Sequence, residues 1–291
     1  MYDQAKPLDQ LFGTNSPRSV NKTTCSYGAV DFTVLLCNCR SLCNKLDDAR
    51  ATCSFLHPHL FACTETWFHG DITDHLVSIP NYFVSRCDRL SRAGGGVAVY
   101  SSNQTKVTTL CPNLVHSPKC VEAVWLHLPD LNILFVCIYV PPSLCVSDHL
   151  DITNYLTVNV DDFLAKHNEP KVIICGDFND FNTDCIGSNL DLINMVTEPT
   201  RNNSIIDKFF ISKFCPCKCE IGPPLSTSDH NSVFTVINMP VTAPSPGSNF
   251  VYDLRQRHVS KFVNSIRSFD WSSFIDSNAN VNDILYFSRL P

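Results

Sequence analysis

Val172-Ile173-Ile174-Cys175 runs straight into Gly176-Asp177-Phe178-Asn179. Four apolar residues of strand character end in a glycine turn that presents an acid and an amide side by side. That places a carboxylate and a carboxamide at the C-terminal end of a buried strand, where open α/β sheets gather their sites. Two other segments set polar groups against apolar runs in the same manner. Thr64-Glu65-Thr66-Trp67 stands behind Leu60-Phe61-Ala62-Cys63, and Ser228-Asp229-His230-Asn231 leads into the apolar stretch 232–237.

Short apolar runs bounded by turn residues recur outward from this point. They predict strands over 32–37, 60–64, 96–100, 121–128, 133–139, 172–175, 205–211 and 232–237. The fourth and fifth read as a hairpin about Pro129-Asp130. Leu42, Leu46, Ala49, Cys53 and Leu56 repeat at helical spacing, 150–165 is a second amphipathic candidate, and 189–196 a short third. Many strands with a few interleaved helices predict an α/β or α+β sandwich, two packed sheets with helices on the outside. No internal repeat is evident. Residues 1–30 are polar and aperiodic and read as a flexible arm, 31–238 as the domain, and 239–291 as a Pro-rich linker with a short helical tail.

Length and composition exclude several classes. A chain of 291 residues with 44% hydrophobic content buries a real core. Its longest apolar run is too short to cross a bilayer. The opening Met1-Tyr2-Asp3-Gln4-Ala5-Lys6 lacks the layout of a signal peptide, so an intracellular location, nuclear or cytoplasmic, is expected. The 16 cysteines are scattered, and several lie in apolar runs, so they read as buried free thiols rather than a disulfide framework. Cys215-Pro216-Cys217-Lys218-Cys219 offers soft ligands, but no Cys/His pair follows at zinc spacing. The net charge of −6 argues against a purely electrostatic nucleic-acid binder, though not against carboxylates grouped around a metal.

Phosphodiester hydrolysis needs a hard divalent cation, a carboxylate to orient and deprotonate water, and a donor for the developing charge. The chain supplies each at a predicted strand end. Glu65 can hold a metal, and Asn38, behind Val34-Leu35-Leu36-Cys37, adds an amide oxygen ligand or a phosphate contact. Asp177 and Asn179 supply the water-orienting acid and a positioning amide. Asp207, an isolated acid in Ile205-Ile206-Asp207-Lys208-Phe209-Phe210, demands a partner. Each also has a plain structural reading: a strand terminator, a solvated acid, a satisfied histidine. Gly94-Gly95-Gly96 reads as a turn for close backbone packing, and Asp161-Asp162 as the solvated face of a helix.

Asn38-Cys39-Arg40-Ser41-Leu42, Glu65-Thr66-Trp67, Gly94-Gly95-Gly96-Val97-Ala98, Tyr139, Gly176-Asp177-Phe178-Asn179, Ile206-Asp207 and Ser228-Asp229-His230 fall in one telling order. In this order the chain resembles the endonuclease/exonuclease/phosphatase superfamily over about residues 32–238. Within it, the chain looks most like the apurinic-type endonuclease domain of non-LTR (LINE-like, jockey-like) retrotransposons. The later Asp270-Trp271-Ser272-Ser273 resembles the connector behind that nuclease. The resemblance implies a four-layer α/β sandwich of two mixed sheets. It implies that Glu65, with Asn38, binds Mg²⁺ (or Mn²⁺), and that Asp177 activates water beside Asn179. It further implies that His230, held by Asp207, contacts the scissile phosphate, that Tyr139 lends its hydroxyl, and that Asp229 assists the metal or the leaving oxygen. Arg40 stands where the abasic-repair branch carries a carboxylate, which shifts the match toward the mobile-element branch and suggests a DNA-backbone contact. The implied activity is Mg-dependent nicking of DNA that leaves a 3′ hydroxyl to prime reverse transcription. The implied partners are DNA, with no membrane, and a reverse transcriptase domain of the same element. The rival readings are a phosphomonoesterase or phospholipid phosphodiesterase of the same fold, and a catalytically silent DNA- or protein-binding remnant.

Overall fold

The computed structural model describes residues 29–90, 93–112, 118 and 120–240, with positions 260, 263, 264, 267 and 268 beyond. The expected arm up to residue 28 and nearly all of the expected linker and tail lie outside the described residues. Among the described residues from 29 to 240, twelve strands and three α-helices follow one another. They are β1 (Ala29–Asn38), α1 (Leu46–Leu56), β2 (Leu60–Thr64), β3 (Tyr82–Cys87), β4 (Val97–Ser102), β5 (Thr108–Leu110), β6 (Glu122–Leu128), β7 (Ile133–Tyr139), α2 (Val146–Leu164), β8 (Lys171–Asp177), α3 (Asp184–Leu190), β9 (Leu192–Asn194), β10 (Asp207–Ser212), β11 (Cys217–Pro224) and β12 (Asn231–Pro240).

The strands form two six-stranded mixed sheets, in the orders β11-β12-β1-β2-β4-β3 and β5-β6-β7-β8-β10-β9. Each sheet has one parallel pair at its centre, β1 with β2 and β7 with β8, and antiparallel neighbours elsewhere. The two sheets therefore repeat one direction pattern that the sequence does not display as a repeat.

Side-chain alternation builds the layers. Val34, Leu36, Ala62, Val97 and Val99 of the first sheet meet Phe135, Cys137, Ile173, Cys175 and Phe209 of the second in a central core. The alternate residues face outward: Leu35, Cys37, Phe61 and Cys63 pack on Ala49 and Cys53 of α1. On the other side Val136, Ile138 and Ile174 pack on Leu156, Val160 and Phe163 of α2 and Ile186 of α3. Strands buried on both faces read as unbroken apolar runs, which is why β2 and β7 appear in the sequence with their observed limits. The result is the four-layer α/β sandwich.

Four expectations need correction. Ala29 and Val30, expected to close the arm, already belong to β1. The helix expected over 189–196 ends at Leu190, where Asp191 turns left-handed (φ 57°), and Leu192–Asn194 forms the edge strand β9. Gly176 and Asp177 are not in a turn but in the ladder, paired with Ile138 and Tyr139 of β7. The glycine is needed because β7 passes so close: a Cβ there would lie 1.8 Å from the Ile138 carbonyl oxygen. Met239 and Pro240, expected to open the linker, still belong to β12. The Cys215–Cys219 cluster packs against the central core, and burial with its neighbours pushes the Cys217 thiol up to about 11. Every cysteine among the described residues is free. No helix among the described residues is long and apolar enough to cross a membrane.

Candidate active site

The same alternation that fills the core continues into polar residues where strands end. Leu36 faces inward, and so does Asn38 two residues on; Cys137 leads to Tyr139, Cys175 to Asp177, and Phe209 back to Asp207. Register then aligns them. Asp177 is paired with Tyr139 on one side and with Asp207 on the other, and Asn38 is paired with Thr64, the residue before Glu65. Because the parallel pair of each sheet runs out at the same end, groups far apart in sequence meet there.

The contacts are direct. The Asn38 amide nitrogen donates to Asp177 Oδ2 at 2.8 Å and to Glu65 Oε1 at 3.2 Å, bridging the two sheets. Asp177 Oδ1 accepts the Asn179 N–H at 2.9 Å, while the Asn179 side chain donates to the Val140 carbonyl at 2.8 Å. His230 Nδ1 lies 2.7 Å from Asp207 Oδ2, and both side chains are almost completely buried. The Trp67 indole donates to Glu65 Oε2 at 3.2 Å. Glu65 (φ 50°) and Asn179 (φ 46°) are both left-handed, a conformation costly for non-glycine residues that recurs at functional sites.

Asp177, Asp207 and His230 bring their ligand atoms within 4.8 Å of one another. Asp207 Oδ1 is buried without a hydrogen-bond partner among the described residues, although isolated buried acceptors are costly. Burial, then the neighbouring Asp207 charge, pushes the Asp177 carboxyl up to about 7. Burial pulls the His230 imidazole down, but its hydrogen bond to Asp207 and the surrounding carboxylates raise it overall. Tyr139 is held above the usual phenol range by burial and by the charges of Glu65 and Asp177.

Asp229 stands apart from this group in its partners. Its Oδ2 receives Arg201 at 2.6 Å and Arg40 at 3.3 Å. Partial burial raises the Asp229 carboxyl, yet Arg201 outweighs it and keeps the group below the ordinary range. Every other site residue expected from the sequence has a partner in the group around Asn38 and Asp177, or lies next to it in register.

Four further residues support the site. Thr200 Oγ1 accepts the Asp207 N–H at 3.1 Å, and Ser228 Oγ donates to the Asn38 carbonyl at 2.7 Å and accepts the His230 N–H. Arg89 grips Glu122 with two hydrogen bonds of 2.7 and 2.8 Å and lies 5.2 Å over the Tyr139 ring. Ser228 stood in the sequence as the first residue of the Ser228-Asp229-His230 motif, and Glu122 left a weaker signal, an acid opening an otherwise apolar strand; Thr200 and Arg89 are ordinary loop residues in the sequence.

A sequence profile of the endonuclease/exonuclease/phosphatase family matches residues 35–230, from β1 to the buried histidine. The chain belongs to that family. Its members are hydrolases of phosphodiesters or phosphate esters, and the family generally uses divalent metals. Comparison with curated proteins finds no match. Solved structures with a similar fold include an AP endonuclease from Archaeoglobus fulgidus, at 13% identity and TM-score 0.55, covering 71% of this chain and 99% of that one. Another is the endonuclease domain of TRAS1, a telomere-specific non-LTR retrotransposon, at 14% identity and TM-score 0.53, covering 72% and 100%. A mannosyl-6-phosphatase from Bacteroides thetaiotaomicron is as close, at 14% identity and TM-score 0.53, covering 71% and 99%. At these identities the likeness establishes the fold and leaves the substrate to the residues.

The buried Asp177 makes stability depend on pH in a definite direction. The folded chain keeps this proton to about pH 7, whereas an unfolded aspartate loses it near 3.8. The stabilisation is therefore full below about pH 4 and is lost as pH rises through about 7, a difference on the order of a few kcal/mol. In EDTA, wild type should be easier to unfold in urea at pH 7.5 than at pH 5 by more than Asp177→Asn is, since the amide cannot ionise. Equal slopes for the two proteins would refute the shift.

Proposed function

We propose that this chain is a divalent-metal-dependent endonuclease that nicks one strand of DNA, derived from a non-LTR retrotransposon, and leaves a 3′ hydroxyl to prime reverse transcription. The observation that carries the hydrolytic reading is the Asn38 bridge to Glu65 and Asp177 beside the buried Asp207–His230 pair. The retroelement reading rests on the order of the motifs and on Arg40, and it is in keeping with the TRAS1 likeness.

The donor set suits a hard cation such as Mg²⁺ or Mn²⁺: carboxylates and an amide oxygen, with one buried Asp207 oxygen that has no partner among the described residues. Glu65 and Asn38 would hold the ion, which when bound neutralises charge on the phosphate and lowers the pKa of coordinated water. Asp177, fixed by Asn38 and the Asn179 N–H, orients the attacking water and takes its proton. Asn179 and Tyr139 position the phosphate. His230, its Nδ1 tied to Asp207, turns Nε2 toward the phosphoryl oxygens as a donor whose charge the Asp207 carboxylate supports. Asp229 acts at the rim, between two guanidiniums. A reverse transcriptase domain of the same element is the expected partner.

A second reading has one specific support. The chain is acidic, and a sugar phosphatase shares its fold at the same similarity as the DNA enzymes. Relaxation of supercoiled plasmid measured beside inositol-phosphate release separates the two. Nicking should appear with Mg²⁺, vanish in EDTA and return when Mg²⁺ is restored. Cleavage that persists in chelator overturns the metal chemistry, and phosphate release without nicking overturns the DNA substrate.

A further inference from the structure

Arg201 is absent from the hydrolytic group, yet it is fastened to it. It sits in a turn closed by the Arg201–Ser204 bridge, and the Thr200 carbonyl beside it accepts the Asn231 N–H at 2.7 Å. Thr200 also binds the Asp207 N–H. Arg40 is held as firmly from the other sheet, its N–H donated to Asn38 Oδ1 at 3.1 Å. Two guanidiniums, from opposite ends of the sequence, thus reach one oxygen of Asp229, the residue before His230.

We propose that Arg201 and Arg40 form a two-guanidinium subsite for a backbone phosphate flanking the scissile one, with Asp229 holding the pair in place until DNA arrives. This deepens the DNA-cutting function proposed above and rests on it. The charge balance points this way: one carboxylate cannot offset two guanidiniums, so the three side chains together keep one positive charge in a chain whose total is −6. Accessibility agrees, since the side chains of Arg40 and Arg201 are 55% and 40% exposed and that of Asp229 34%. Arg201 also keeps an unused donor: its Nε–H is buried without an acceptor among the described residues, a deficit that a phosphate oxygen would remove by drawing the side chain around. Guanidiniums match phosphate oxygens in geometry and are the usual means of gripping them. As a structural fastening the cluster would achieve little, because half-exposed ion pairs add little to stability. A flanking phosphate exists in a polynucleotide and not in a small phosphomonoester, so the subsite selects for a polynucleotide substrate such as DNA.

The test is binding of a fluorescein-labelled DNA duplex, followed by anisotropy in EDTA over a series of NaCl concentrations. Arg201→Ala should weaken binding about tenfold near 0.1 M salt and reduce the slope of log K against log[salt] by about 1. Arg201→Lys should recover most of the slope. Asp229→Asn should act in the opposite sense, tightening binding and steepening the slope, because it releases both cations. If the alanine protein fails to fold, the lysine and asparagine proteins still decide. An unchanged slope in Arg201→Ala, or weaker binding in Asp229→Asn, overturns the subsite, as does wild-type protein that binds no duplex. Plasmid relaxation by wild type is scored separately. Nicking with an unaltered Arg201→Ala slope sinks the subsite alone, and a reduced slope without nicking upholds the subsite while sinking the endonuclease.

Discussion

Asp177→Asn should lower plasmid nicking by about 10³-fold or more, and His230→Ala by a similar factor. The amide keeps the shape of the acid but cannot take a proton from water. It also satisfies only one of the two N–H donors, from Asn38 and Asn179, that the carboxylate accepts. His230→Ala removes the donor that the proposed mechanism aims at the phosphate, and it strands a buried Asp207. Since the proposed mechanism has both residues serve one transition state, the double variant should be little worse than either single one. Relaxation rates from equal amounts of the three purified proteins check this, with circular dichroism confirming that each is folded. Residual cleavage identical in wild type and both variants would mean a contaminating nuclease and would favour the silent, binding-only reading.

Gly176→Ala should prevent folding rather than impair chemistry. The added Cβ would stand 1.8 Å from the Ile138 carbonyl oxygen, 2.8 Å from its carbon and 3.0 Å from its nitrogen, all backbone atoms that cannot swing aside. The φ of 146° is also a conformation that L-residues rarely adopt. Relief would require separating β7 from β8, the parallel pair that carries Tyr139 and Asp177. A cost above about 4 kcal/mol belongs to the severe class of substitutions and is a large part of a domain's whole stability. The expected result is insoluble protein, or soluble protein that melts far below wild type. Gly70→Ala is the matched control, because its Cβ would have no heavy atom within 4 Å. That variant should melt within a few degrees of wild type. A Gly176→Ala protein as stable as the control would mean that the close approach of the two strands is wrong.

What the sequence made legible follows from burial. The eight strands expected from apolar runs are the eight interior strands of the two sheets. The four that escaped, β3, β5, β9 and β11, are the four edges. An edge strand has one neighbour and much solvent. Tyr82–Cys87 carries Ser85 and Arg86, Cys217–Pro224 carries Lys218 and Glu220, and β5 and β9 have three residues each, so none makes an apolar run. The site was legible for a related reason. Its acids and amides interrupt or terminate apolar runs, where a polar side chain needs a justification, and the order of the motifs then joined them. Arg201 and Thr200 sit in a polar loop where nothing distinguishes them. Asp229 was legible as an acid, but its attachment to two arginines depends on chain crossings that spacing does not reveal.

The position of β1 has a consequence for how this protein is made. Emerging first among the described strands, β1 takes β12, the last of them, as its antiparallel partner from Ala29↔Pro240 to Leu36↔Val233. During translation its flank therefore stays bare until some two hundred further codons have been read. His230 leaves the ribosome immediately ahead of that closing strand, so a truncated product would lack both its seam and its imidazole. The complete site is thereby withheld from incomplete chains, and a half-built copy would carry Asp207 without the histidine that it holds.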